Sequence, residues 1–287
     1  MKLSTKRQWP FRDLQSFEAT HEQMCRAMLN FAICGRGRHH ASEALIEGLT
    51  DRAAKVGSAI SPPLRIAVAK AVLAKLLRDA SALQKCQFNL VTLVPEAFAL
   101  PLSEADQFDP NAFKAWAKSI LAGFDYLAVI EPGLYENMGS LAEDGKREAA
   151  VSWHAHAVVV TSIGADIEVM LRRRRFGQPG FLPGSEAVHV RSMTYRSLTS
   201  RVLYLLKLPR TGYRGFVAKR TSIDQKTGEI QITSLNKFDQ KKHMLRPGRR
   251  QALFETMVGF TLDQFIFCDG NWDFLFKNLV KQACDEI

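Results

Sequence analysis

Sulfur chemistry is sparse in this chain of 287 residues. Its five cysteines (Cys25, Cys34, Cys86, Cys268 and Cys284) are odd in number and scattered, with no CxxC pair to mark a zinc or redox centre. Cys25, Cys34, His39 and His40 are a conceivable zinc set, but Cys25 falls on an amphipathic pattern with Met24, Met28 and Phe31, which reads as core packing. No run reaches the roughly 18 apolar residues of a membrane span. The opening MKLSTKRQWPFRDLQSFEAT has early cations but no following apolar stretch of signal-peptide length. The expectation is a cytoplasmic protein with no membrane partner. Internal repeats and low-complexity segments are missing as well.

Hydrophobic residues make up 46% of the chain, enough to fill a real core. The net charge of +10 is unevenly spread. From Gly164 to Arg250 there are 19 Lys and Arg against 6 Asp and Glu, so one continuous third carries the whole positive excess. Such a region concentrates a polyanion and supplies phosphate contacts that weaken with salt. The run Arg172, Arg173, Arg174 and Arg175, with Arg201 and Arg210, is the candidate nucleic-acid-binding set. A solvated basic face is the plainer alternative.

Residues 1–85 read as helical, from apolar positions at three- and four-residue spacing in LQSFEATHEQMCRAMLNFAI and LRIAVAKAVLAKLLRDASAL. The period then changes. Phe88–Val94, Tyr126–Glu131, Ala149–Thr161, Ile167–Leu171 and Val188–Met193 read as strands, the last two as a pair. Helices are expected at Asp109–Ala122, with Asp as N-cap and Pro in the first turn, and at Tyr195–Leu208, stopped by Pro209. Residues 221–287 read as a hairpin at DQKTGEIQIT followed by a helical region from about Arg250. The fold class is therefore α+β, a central antiparallel sheet with flanking helices.

Side chains at i and i+2 of a strand share a face about 7 Å apart, so His154 and His156 in WHAHAVVV can reach one ion. A carboxylate added to two imidazoles moves the preference toward harder divalent metals such as Mn and Mg. Glu131, closing the preceding strand, is the candidate third ligand, with Glu136, Glu143 and Asp144 as substitutes. Trp153 falls on the opposite face and reads as core.

Taken in order, FNLVTLV, Glu131, WHAHAVVV and then YLLK at Tyr204–Lys207 resemble the three motifs of the HUH replication initiators: a strand of FxTLT type, His-hydrophobe-His, and a helix bearing tyrosine and lysine. The likeness spans Phe88 to Arg210. It departs in having Ala155 between the histidines, and Leu90 and Val94 where the family prefers phenylalanine and threonine. It implies an HUH-like nuclease domain over residues 86–220 acting on single-stranded DNA, with a divalent metal (Mg or Mn) on Glu131, His154 and His156. It also implies that Tyr204 attacks to form a covalent 5′-phosphotyrosine and release a 3′-hydroxyl, as in replication initiation of a mobile element. Lys207, i+3 from Tyr204 on a helix, could lower the phenol pKa or contact the phosphate. Tyr195, at the helix start, and Tyr213, read as loop, are the rival nucleophiles. No second tyrosine lies within a turn of Tyr204, and no GxxxxGK[ST] provides a fused helicase. Amidohydrolases also use HxH, but only His189 and His243 remain downstream to complete such a site. The alternative function is a DNA- or RNA-binding protein with the same fold and no turnover.

Overall fold

A computed structural model of the chain describes residues 11–50, 57–136, 149–174, 178–224 and 227–270. Four helical segments come first: α1 (Leu14–Cys34), α2 (Glu43–Thr50), α3 (Pro62–Arg78) and the short α4 (Ala80–Leu83). Local chemistry fixes their starts. Asp13 accepts from the Ser16 amide in a capping box, and Ser61 caps α3 ahead of Pro62 and Pro63, whose missing N–H groups cost nothing in a first turn.

The strands are β1 (Gln87–Leu93), β2 (Ala99–Pro101), β3 (Asp125–Glu136), β4 (Ala150–Thr161), β5 (Val188–Met193), β6 (Thr211–Ile223), β7 (Ile230–Met244) and β8 (Ile266–Asp269). Between and after them lie α5 (Pro110–Leu121), α6 (Ile167–Arg174), α7 (Leu198–Leu205), α8 (Pro247–Glu255) and α9 (Leu262–Phe265). The sheet runs β5-β1-β4-β3-β6-β7, with β2 joined to β4 and β8 to β3. The fold is α+β as expected, but the sheet is mixed: β3 and β6 pair in parallel at Tyr135↔Tyr213 and Glu136↔Arg214.

β4 is central and buried on both faces. Trp153, Ala155 and Ala157 enter a core shared with α5, α6, α8 and part of α1, while Val158 and its β3 neighbours Leu127 and Val129 enter a second core with Phe17, α3 and α7. β3 runs past Glu131 to Glu136 rather than ending there, and Pro132 sits mid-strand. It is tolerated because β8 pairs with Tyr126–Val129 and β6 with Tyr135–Glu136, so no ladder bond is asked of Pro132 on that edge.

Four expectations need correction. Ile167–Leu171 is helix, not strand: Asp166 caps the Val169 amide, and the four-residue spacing buries Ile167 and Leu171 together, which outweighs the β-branched content. The strand Val188–Met193 therefore pairs with β1 instead. The helix after Tyr195 begins as a 3₁₀ turn and ends at Leu205, so Lys207 lies just beyond it. The helical C-terminal region is interrupted by β8, and residues 271–287, including most of GNWDFLF and Cys284, lie outside the described residues. No helix among the described residues is long and apolar enough to cross a membrane.

Candidate metal centre

Register brings three of the predicted ligands together. β3 and β4 are antiparallel with Glu131 opposite His154 and Val129 opposite His156, so the two imidazoles and the carboxylate share one face. Their ligand atoms lie within 4.8 Å of one another, and all three residues are buried. No other such group of His, Cys, Asp and Glu occurs among the described residues. The zinc alternative fails accordingly, and Cys25 is packed against the core with its thiol donating to the Leu49 carbonyl.

Each imidazole is held through its far nitrogen. His154 Nδ1–H donates to the Ser152 carbonyl at 3.0 Å; a carbonyl can only accept, which leaves Nε2 with its lone pair. His156 Nδ1 lies 3.0 Å from Thr92 Oγ1, directly opposite on β1. Fixing one nitrogen in this way presents the other as a ligand. Burial pushes both imidazoles below the ordinary histidine range, His156 well below it. They are neutral at pH 7, as metal ligation requires. Gly133 makes room, since a Cβ there would stand 3.1 Å from His154 Cε1.

Lys207 is buried and donates to Glu131 Oε2 in a close ion pair. Burial alone would raise the Glu131 pKa, but the Lys207 charge and the Lys207 hydrogen bond outweigh it and hold the carboxyl below its usual range. The lysine does not lie along α7 as expected. Past the helix end its Nζ turns back, 4.2 Å from the centre of the Tyr204 ring. Residues of the N-terminal helices aim this turn. The Leu208 amide donates to His21 Nε2 at 3.2 Å, His21 Nδ1–H donates to the Phe17 carbonyl at 2.8 Å, and Arg65 Nη1 donates to the Leu206 and Lys207 carbonyls.

The Tyr204 ring stands edge-on to His156 at 5.1 Å. A pocket of about 520 Å³ opens here, lined by Thr92, His154, His156 and Tyr204 together with Tyr213, Phe238 and Lys242 of β6 and β7. Tyr213 is in a strand, not a loop, and stacks on Tyr135 at 4.9 Å. Tyr195 instead packs near Phe88 in the core.

The basic set is divided. Arg172, Arg173 and Arg174 lie on α6, which packs by Ile167 and Leu171 into the Trp153-side core, away from the face that carries the histidines. Arg172 pairs with Glu168, and Arg174 donates to the Ile120 and Ala122 carbonyls and lies over Phe124, so it ties α6 to α5. Arg175 is outside the described residues. Arg201 is buried on α7, and Arg210 is half-buried after it. Of the substitute carboxylates, Glu136 is engaged by His243 at 2.7 Å and Arg249 at 3.0 Å, and Glu143 and Asp144 are outside the described residues.

Sequence reasoning missed Thr92, Ser152, Phe238 and Lys242, and took Tyr213 for a loop residue. Thr92 had a signal, as the one hydroxyl in a strand motif that is apolar but for Asn89. Two neutral imidazoles and a carboxylate, held from behind and gathered under a pocket, fit a divalent cation. Compared with family models, curated proteins and solved structures, the chain matches none, so its chemistry is argued from this geometry alone.

Proposed function

We propose that the protein is a metal-dependent nuclease of HUH type, which cuts single-stranded DNA and keeps the 5′ end on Tyr204. The observation that carries this reading is the clustering of Glu131, His154 and His156, with the Tyr204 ring against His156 and with both histidines and Tyr204 lining a single pocket. A divalent cation held by the triad would supply Lewis acidity at the scissile phosphate. Ser152 and Thr92 keep the imidazoles in the ligand orientation, and Lys207 keeps Glu131 ionised. The Tyr204 oxygen forms the new bond to phosphorus as the bond to the 3′ oxygen breaks. The phenol proton ends on that oxygen, giving a free 3′-hydroxyl and a phosphodiester that can be rejoined.

The test is incubation with labelled single-stranded oligonucleotides and Mn, followed by denaturing electrophoresis. Wild type should give a metal-dependent covalent adduct and Tyr204→Phe none; an adduct of undiminished yield from the variant would direct attention to Tyr213, which lines the same pocket. A second reading, a nucleic-acid-binding protein without turnover, is favoured by one observation: the close Lys207–Glu131 pair already neutralises the carboxylate. Calorimetric titration with Mn separates the two, because only the nuclease requires saturable binding that His154→Ala removes.

A further inference from the structure

Among the described residues β6 has no partner strand past Arg214 but β7, and β7 ends the sheet order. The two form a ribbon that leaves the body of the protein. From Lys219 to Leu235 every described side chain is exposed except half-buried Asp224. Near its end the Asp224 amide donates to the Glu229 carbonyl at 2.9 Å, the Gly228 amide donates to the Asp224 carbonyl at 2.8 Å, and Asp224 Oδ1 accepts from the Thr227 amide. Gly228, with φ of 71°, supplies the left-handed turn.

Just behind the tip, Ile223 and Ile230 stand opposite each other, with Ile232 two residues along on the same face. They are 66%, 67% and 63% exposed. A two-stranded ribbon is marginal in water by itself, and three bare isoleucines at one spot require a cover. Charge says which. Residues 211–244 hold seven Lys and Arg against three Asp and Glu. A second copy would bring the same positive excess to the contact and be repelled, whereas a polyanion is attracted. Cationic two-stranded ribbons fit a duplex groove, and apolar side chains wedge between base steps. The root of the ribbon matters too, because Tyr213 lines the pocket beside the histidines. Ten residues separate it from Ile223, about 33 Å of strand, or about one helical turn of duplex.

We propose that this ribbon is a duplex-opening wedge. Ile223, Ile230 and Ile232 enter the base stack of double-stranded DNA about one turn from the Glu131–His154–His156 cluster, and the loosened strand is led along the ribbon to the pocket; what happens to it there rests on the nuclease reading above.

The experiment measures permanganate oxidation of thymines in a duplex rich in TA steps, the easiest to unstack, with the full chain and with an Ile223→Ser, Ile230→Ser, Ile232→Ser variant. These side chains lie in solvent, so the variant should fold; its thermal unfolding and its adduct yield on single-stranded oligonucleotide are the controls. Wild type should raise thymine reactivity severalfold at a few adjacent steps. The variant should lose that enhancement and bind duplex about tenfold more weakly, roughly 1.4 kcal/mol, with adduct yield on single strands unchanged. Equal reactivity with both proteins overturns the wedge. So does a wild-type dimer in sedimentation that the variant converts to monomer, which would make a second copy the cover. Isoleucine-dependent thymine reactivity without any adduct keeps the wedge and removes the nuclease; adduct without thymine reactivity does the reverse.

Discussion

Along β4 the two faces are almost equally dry and yet opposite in character. Trp153 is wholly buried, stacked on Phe108 at 4.3 Å with its indole N–H donating to the Ala105 carbonyl, and Ala155 and Ala157 follow it into the same layer. On the other face His154 and His156 are 7% and 9% exposed, and each is bonded on one side and open to a pocket on the other. Burial alone does not separate core from site. The difference is that one face has satisfied its polar atoms and closed its packing, while the other holds lone pairs in place without using them. One face is closed packing and the other carries the candidate site.

Double substitution of His154→Ala with His156→Ala is the strongest way to break that contrast. Adduct formation should fall to background while urea unfolding shifts little and DNA binding stays measurable; a double variant that nicks at the normal rate ends the assignment. Trp153→Ala should do the reverse. Loss of a large buried aromatic costs about 3–5 kcal/mol, read as a lowered urea midpoint, while the folded protein still binds Mn. A drop in metal affinity without loss of stability would mean that the faces are not independent.

A third expectation concerns pH. Burial lowers the His21 pKa to about 4, against about 6.5 in the unfolded chain. As pH falls the unfolded state takes up the proton first, so the contribution of neutral His21 is complete above pH 6.5 and is lost on the way down to 4. It amounts to about 3 kcal/mol. Unfolding free energies at a series of pH values should fall more steeply for wild type than for His21→Gln; parallel curves would exclude this linkage. Smallest of the four is Thr92→Val, which keeps the shape of β1 but removes the oxygen beside His156. Metal affinity should drop about 10- to 100-fold, with stability nearly unchanged.

The clustering of the two histidines was legible because it is a matter of strand periodicity: two residues apart means the same face, and no long-range information is needed for His154 and His156. Glu131 needed one further step, an antiparallel neighbour in the right register. Lys207 and Tyr204 were legible as a motif but not as geometry, since the helix stops at Leu205 and the lysine turns back to the carboxylate. Tyr213 was obscured by Gly212 and Gly215, which punctuate like a loop although β6 runs through both. The position of the arginine run was not legible for a different reason. Local charge density does not say which side of a sheet a helix will cover, and Ile167 and Leu171 settle that by packing beside Trp153.

The His21–Leu208 hydrogen bond closes a separation of 187 residues, and Arg65 reaches 142 residues ahead to the Lys207 carbonyl. Translation at about 5–20 residues per second puts roughly 10 to 40 s between the synthesis of His21 and that of Leu208. Only in the last part of that interval, once His156 has been made, does the histidine pair of β4 exist in the nascent chain, and Lys207 with the turn that aims it still does not. Contacts of such span also slow folding once the chain is complete. Assembly of the cluster is thus a late event in the life of each molecule, and chains terminated between His156 and Lys207 carry the candidate ligands without the lysine that pairs with Glu131.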